Sequence, residues 1–171
     1  MTSREGWTGR YFEDFSVGDH YRHPLARTIT EVDNSWFTLL TMNTNQMHFN
    51  AHYAEKSTFG KLLVNSGFSV ALLLGISVSD VSQNGMANLG WTDITMPHPL
   101  FVGDTLYGES LVLETRESAS RPYAGIVTVK TRGLNQYGDV CVSFVRSVMV
   151  YKRDAPFDKD HFPVAAEPLV P

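Results

Sequence analysis

The chain has 171 residues, of which 43% are hydrophobic and 19% charged, and its formal net charge is -4. That length can bury a core, the composition is too apolar for a disordered chain, and no Lys/Arg cluster suits generic nucleic-acid binding. Cys141 is the single cysteine, which excludes an intramolecular disulfide and a thiolate metal cluster.

Residues 1–20 read as irregular chain with Val17-Gly18-Asp19 as a turn, and they hold no apolar signal region, so the cytoplasm is the expected location. A short strand is expected within Tyr21 to Thr30, and Pro24 confines it to a sheet edge. Thr30 then caps a helix, because Asp33 stands three residues on, as in a capping box. Trp36, Phe37, Leu39 and Leu40 supply that helix with an apolar face. Asn43 to Asn50 has no period, and Ala51 to Lys56 predicts another helical turn or two.

The stretch from Val64 to Val78 organises the rest. Phe68, Val70, Ala71, Leu72, Leu73, Leu74 and Ile76 leave almost no polar stripe, which predicts a buried helix. The run falls short of the roughly 20 apolar residues that a bilayer requires. Asn65 or Ser66 is its N-cap. Gln83-Asn84-Gly85 then signals a turn. Strands are expected over Ala87 to Met96, Thr105 to Thr115, Tyr123 to Leu134 and Val140 to Tyr151. Asn135 to Asp139 joins the last two as a hairpin loop. Cys141 lies in an apolar alternating run and reads as a buried structural thiol.

The fold class is therefore α+β: a curved antiparallel β-sheet wrapped around one buried central helix. Its free edge and outer face suit a second copy of the chain. Residues 1–152 form the single domain. Residues 153–171, with four of the eight prolines, form a tail expected to lie extended or poorly ordered.

Thr41 to Ala54 is the densest polar segment. An imidazole titrates nearest neutrality among side chains, so His48 is the candidate base. Asn43 lies five residues before it and Asn45 three, where their amides would orient a water. The same residues also suit a surface loop capped by asparagines, and the residues alone leave both readings open. His48 and His52 have the i, i+4 spacing of a zinc helix, but Phe49 replaces the glutamate and no third ligand follows. No metal is expected. At the start of the central helix, the N–H groups of Ser66, Gly67 and Phe68 form a site for developing negative charge. Gly67 serves either ligand approach or helix packing.

Asn45-Gln-Met-His-Phe-Asn-Ala-His-Tyr-Ala54, followed by Phe59-Gly-Lys-Leu-Leu-Val-Asn-Ser-Gly67, resembles the motif of the MaoC-like (R)-specific enoyl-CoA hydratases. Tyr11-Phe-Glu-Asp-Phe-Ser-Val-Gly-Asp19, Arg27-Thr-Ile-Thr-Glu31, Pro99-Leu-Phe-Val-Gly-Asp-Thr-Leu106 and Asn135-Gln-Tyr-Gly138 extend the likeness almost to Lys152. The resemblance is greatest to single-domain members acting on itaconyl- or mesaconyl-CoA. It implies a hotdog fold, a homodimer or dimer of dimers, and a hydratase or dehydratase of short, branched or dicarboxylic enoyl-CoA thioesters. CoA is then part of the substrate and no cofactor is implied.

The family's Gly-Asp pair is Met42-Asn43 here, its Pro is Gln46 and its second Asp is Asn50. An amide accepts no proton at neutral pH, so the resemblance leaves His48 as base and Asn43 as the group that orients water. Gly67, with Asn65, Ser66 and Asn45, is the implied substrate-binding set. Lys61, Arg121, Lys130 and Arg132 are available to CoA phosphates or are ordinary surface charges. The alternatives are an acyl-CoA thioesterase and a catalytically impaired acyl-CoA-binding module. Against the thioesterase, no acid falls between Val64 and Ser79, where hotdog thioesterases resemble one another in placing it.

Overall fold

Proline cannot donate to a ladder, and Pro24 splits the expected first strand into β1 (His20–Arg22) and β2 (Arg27–Thr28). The computed structural model describes residues 6–156 and 163–167. The rest of the expected tail, residues 157–162 and 168–171, lies outside the described residues. After β2 come α1 (Glu31–Leu40), α2 (Ala51–Glu55) and α3 (Ser66–Ser77), then β3 (Gly85–Thr95), β4 (Thr105–Glu117), β5 (Ala124–Leu134) and β6 (Val140–Tyr151). β4, β5 and β6 form the expected meander, and its last hairpin closes through Asn135 N–H to the Asp139 carbonyl at 3.0 Å. β3 returns to pair antiparallel with β6 at one edge, while β1 and β2 pair with β4. No helix among the described residues is long and apolar enough to cross a membrane.

Helix α3 packs across β4, β5 and β6. Phe68, Leu73 and Ile76 meet Leu106, Val142 and Phe144 in one apolar cluster. Val112, Val127, Val129, Val148 and Val150 build a second with Val81. Gly108 and Gly133 face each other across β4 and β5. A Cβ on Gly108 would come within 2.9 Å of Ile76, and one on Gly133 within 2.8 Å of Leu106. These two glycines let the helix sit close against the strands.

Two expectations need correcting. α3 is not covered all round, since Ser66, Gly67, Ala71 and Gly75 form an exposed strip of small residues. α1 turns Trp36, Leu39 and Leu40 outward, Trp36 68% and Leu40 77% exposed, while Phe37 of the expected apolar face packs inward against Phe68, and Asn34 and Thr38 are fully buried. The polar pair faces inward because Asn34 serves backbone groups of neighbouring segments and Thr38 accepts from the Asn65 side chain.

Beyond α3 a π-helical turn, Val78–Ser82, carries Asp80. Asp80 accepts from Arg10 at 2.7 Å and from His23 Nδ1 at 2.9 Å, and His23 Nε2 meets Ser110 Oγ at 2.9 Å. Burial pushes the His23 imidazole below its ordinary 6.5, against the pull of Asp80. Burial alone would raise the Asp80 carboxyl, but hydrogen bonds from His23 and Arg10 outweigh it and hold it below its ordinary 3.8. In both cases the unfolded chain binds the proton more readily, so stability falls as pH falls. The His23 share is complete above 6.5 and drains as pH drops through the lower folded value; the Asp80 share drains in more acid solution, below 3.8. Urea unfolding midpoints should therefore decline below about pH 6.5, and a His23→Gln variant should be flatter just below that pH while less stable at pH ~8.

Candidate active site

Thr30 caps α1 through a reciprocal box with Asp33, and Arg27 pairs with Asp33 to fix the entry. At the other end Met42 N–H reaches the Leu39 carbonyl and Asn43 N–H the Thr38 carbonyl, both at 3.0 Å. This is a Schellman closure, and its C′ residue must be left-handed. Met42 takes that place at φ 57°. The chain then steps through two side-chain turns: Asn43 Oδ1 accepts from Asn45 N–H at 2.9 Å, and Asn45 Oδ1 from Met47 N–H at 3.1 Å. A 3-10 turn, Gln46–His48, follows, and Asn50 caps α2.

The loop thus contains capping asparagines and still buries its histidine. His48 is 7% exposed. Its Nδ1 lies 2.9 Å from the Leu63 carbonyl, three residues before α3. A carbonyl only accepts, so Nδ1 donates, and in the neutral ring Nε2 is the nitrogen with the lone pair. His52 is exposed on α2 and lines a different pocket with Met47 and Tyr53.

What joins this loop to α3 is Asn34. Its Nδ2 donates to the His48 carbonyl at 2.7 Å and to the Leu63 carbonyl at 3.0 Å, and its Oδ1 accepts from Asn65 N–H at 2.8 Å. Asn65 Nδ2 reaches Thr38 Oγ1 at 3.1 Å. Asn65 is the α3 N-cap, and its Oδ1 accepts from Gly67 N–H at 2.9 Å. The expectation of a free Gly67 N–H is thereby corrected. Of the four N–H groups that begin a helix, those of Asn65 and Gly67 are taken, and those of Ser66 and Phe68 remain for a ligand. Every polar group of the Asn65 side chain is spent inside the protein, so it positions the terminus and presents nothing to a ligand. Asn45 is exposed, and its oxygen serves the loop. Gly67 is exposed; an added Cβ would press on Phe37 at 3.2 Å and on Asn65 at 3.3 Å, so both packing and access depend on it.

A pocket of about 240 Å³ opens at this end of α3, lined by Phe59, Ser66, Ser69, Met96, His98 and Cys141 among others. Burial pushes the Cys141 thiol up to about 11, so it stays protonated in the wall. Lys61 sets its ammonium 4.1 Å from the centre of the Phe101 ring, which stacks edge-on with Phe59 at the pocket rim. Lys130 and Arg132 lie instead in a pocket with His20 and Glu109, and Arg121 bonds Tyr123. Asp80 is the acid that follows α3, but it sits beyond the opposite end and is held by Arg10 and His23. Sequence reasoning did not find Asn34, because nothing but its type distinguishes it from a solvent-facing helix asparagine.

A family model described as mesaconyl-CoA hydratase matches residues 2–164. The chain is 36% identical to the mesaconyl-CoA hydratase of Cereibacter sphaeroides over 85% of its own length and 42% of that protein's. It spans about two fifths of the length of such curated relatives. A solved structure from Chloroflexus aurantiacus, described as a putative MaoC domain protein dehydratase, superposes with a TM-score of 0.83 at 30% identity, covering 97% of this chain and 47% of that one. A Mycobacterium tuberculosis protein described as having a double hotdog fold superposes with a TM-score of 0.78 at 20% identity, over 93% of this chain and 48% of that one. The fold is the hotdog fold.

Two stability changes test the loop. Met42→Gly removes a left-handed side chain and should stabilise the protein by about 1 kcal/mol in urea unfolding. Asn34→Ala strands the His48 carbonyl and the Asn65 N–H in the interior, leaves the Leu63 carbonyl with His48 Nδ1 alone, and should cost about 2–4 kcal/mol.

Proposed function

The chain belongs to the mesaconyl-CoA hydratase family, and on that premise we propose that it adds water across the α,β double bond of a short enoyl-CoA thioester, with His48 as the base. The observation that carries this reading is the bond from His48 Nδ1 to the Leu63 carbonyl at 2.9 Å, which fixes the ring beside the α3 terminus with Nε2 as acceptor. Nε2 takes a proton from water as the oxygen attacks the β-carbon. The electron pair of the double bond moves to the thioester oxygen as an enolate. The open N–H groups of the α3 terminus, Ser66 and Phe68, hold that oxygen, with the positive end of the helix dipole behind them. The imidazolium then returns its proton to the α-carbon, so H and OH have both been added and the base is restored. The Asn43 amide orients the water.

CoA enters as part of the substrate and no further cofactor is needed. Lys61 at the pocket rim is the cation best placed for its phosphates. A dicarboxylic acyl group fits the amide at Asn43, because a carboxylate there would repel the substrate's own. The cytoplasmic location and the homodimer belong to the same proposal. Among the described residues β3 has a partner on one side only, exposes Leu89, Trp91 and Ile94, and offers its free edge to a second copy.

Purified protein mixed with crotonyl-CoA and mesaconyl-CoA should remove the enoyl absorbance without releasing thiol. Released thiol would mean a thioesterase, and tight binding without turnover an acyl-CoA-binding module; either overturns the proposal. His48→Ala should lower kcat by about 10²–10⁴-fold with the fold intact. Asn43→Asp should favour crotonyl-CoA over mesaconyl-CoA; an equal effect on both would remove the repulsion argument.

A further inference from the structure

Arg146 stands on the inner face of β6, at the position between Phe144 of one apolar cluster and Val148 of the other. It is 1% exposed. Its Nη atoms reach Ser77 Oγ, Ser82 Oγ and Asn88 Oδ1, each at 3.4 Å, and its Nε has no partner among the described residues. None of these oxygens is charged. Asp80, the nearby acid, is already committed to His23 and Arg10. Burial lowers the guanidinium to about 10, so it remains a cation at neutral pH. A buried charge without a counter-ion costs several kcal/mol. Arg146 also lines a pocket of about 270 Å³ with Leu74, Val78, Gly85 and Asn88. A guanidinium fork is the side-chain shape that matches a carboxylate.

The pocket is out of reach of an acyl group bound at the same chain's His48. Leu74 and Val78 lie seven and eleven residues beyond Gly67, ~10–17 Å along the helix axis. Three carbon–carbon bonds of a four-carbon acyl chain span at most about 4.5 Å. A second copy changes the geometry. β3 runs back along α3: its first residues share the Arg146 pocket with Leu74 and Val78, and Met96 just past its end shares the other pocket with Ser66 and Ser69. Two copies paired antiparallel across their free β3 edges, about a midpoint near Gly90, set the Met96 end of one beside the Gly85 end of the other. The Ser66–Ser69 pocket, at about 240 Å³, is also below the roughly 300 Å³ at which ligand pockets begin, as expected of a site that a second copy completes. Solved chains about twice as long with this fold on one polypeptide fit such pairing.

Building on the hydratase reading, we infer that the Arg146 pocket of one copy receives the free carboxylate of a dicarboxylic acyl-CoA held at the His48 site of the other. Arg146→Met keeps the volume and replaces a buried charge by an apolar chain, so the fold is retained. It should lower the ratio of kcat/KM for mesaconyl-CoA over crotonyl-CoA at least about 30-fold. Arg146→Lys, which keeps the charge without the fork, should fall between. A mixture of His48→Ala and Arg146→Met chains, refolded together, should turn over mesaconyl-CoA faster than either variant alone, because the mixed dimer contains one complete site. Equal loss for both substrates would make Arg146 merely structural, and a fallen ratio without recovery in the mixture would place the carboxylate in the same chain; either overturns the inference. Failure of the wild type to hydrate either substrate is a different result, since it overturns the hydratase reading itself. Free mesaconate read by thermal shift then tests the pocket apart from turnover: a rise in Tm for the wild type and none for Arg146→Met supports a carboxylate site, and no rise in either rejects it.

Discussion

One buried amide holds the site together. Asn34 serves the carbonyls of His48 and Leu63 and the N–H of Asn65, and so ties α1 to two other segments, the Gln46–His48 turn and the stretch that enters α3. Each would be expensive to leave unpaired where water cannot reach, so the three segments have one satisfactory arrangement. The imidazole inherits that arrangement, because its own Nδ1 bonds to the same Leu63 carbonyl. A loop without regular period thereby delivers a side chain as reproducibly as a helix would. The cost falls on α1, which spends its inward face on Asn34 and Thr38 and leaves Trp36, Leu39 and Leu40 outside.

Much of this architecture is legible in the residue order. The central helix, its Asn65 cap, the Thr30 box, the meander and the Asn135 hairpin all follow from local rules: periodicity, capping chemistry and turn residues. The orientation of α1 does not. Apolar periodicity points Trp36, Leu39 and Leu40 inward, whereas the buried face is chosen by backbone groups 14 and 29 residues away that need partners. The same limit explains Gly67. A cap at Asn65 is readable, but that its oxygen would occupy the Gly67 N–H depends on a side-chain rotamer held by Thr38. Arg146 left a visible signal in its alternation with Val142, Phe144, Val148 and Val150, all of which are buried. An arginine in phase with an inner face is a stronger statement than any single surface cation.

The substitutions in the catalytic loop separate scaffold from chemistry. The Schellman closure at Met42 and Asn43 consists of backbone bonds, so it survives the change of both side chains and is charged only the strain of a left-handed methionine. Asn43 Oδ1 can likewise turn the chain toward Asn45 as an aspartate would. What changes is the proton inventory. On the proposed reading, with an amide in that place the imidazole both takes and returns the proton, and a syn addition, with both transfers on one face, is the stereochemical consequence.

The two ends of helix α3 favour opposite charges. Its N-terminus keeps two N–H groups free and carries the positive end of the macrodipole, which suits a developing enolate. Its C-terminus, at Ser77, carries the negative end, and Arg146 lies against Ser77 there. The dipole recovers part of the cost of burying that guanidinium but supplies no carboxylate. When two such helices run antiparallel across a shared β3 edge, the anion-favouring end of one meets the cation-holding end of the other. A substrate with negative charge developing at its thioester and already present at its far end is the ligand whose charges match that sequence of fields.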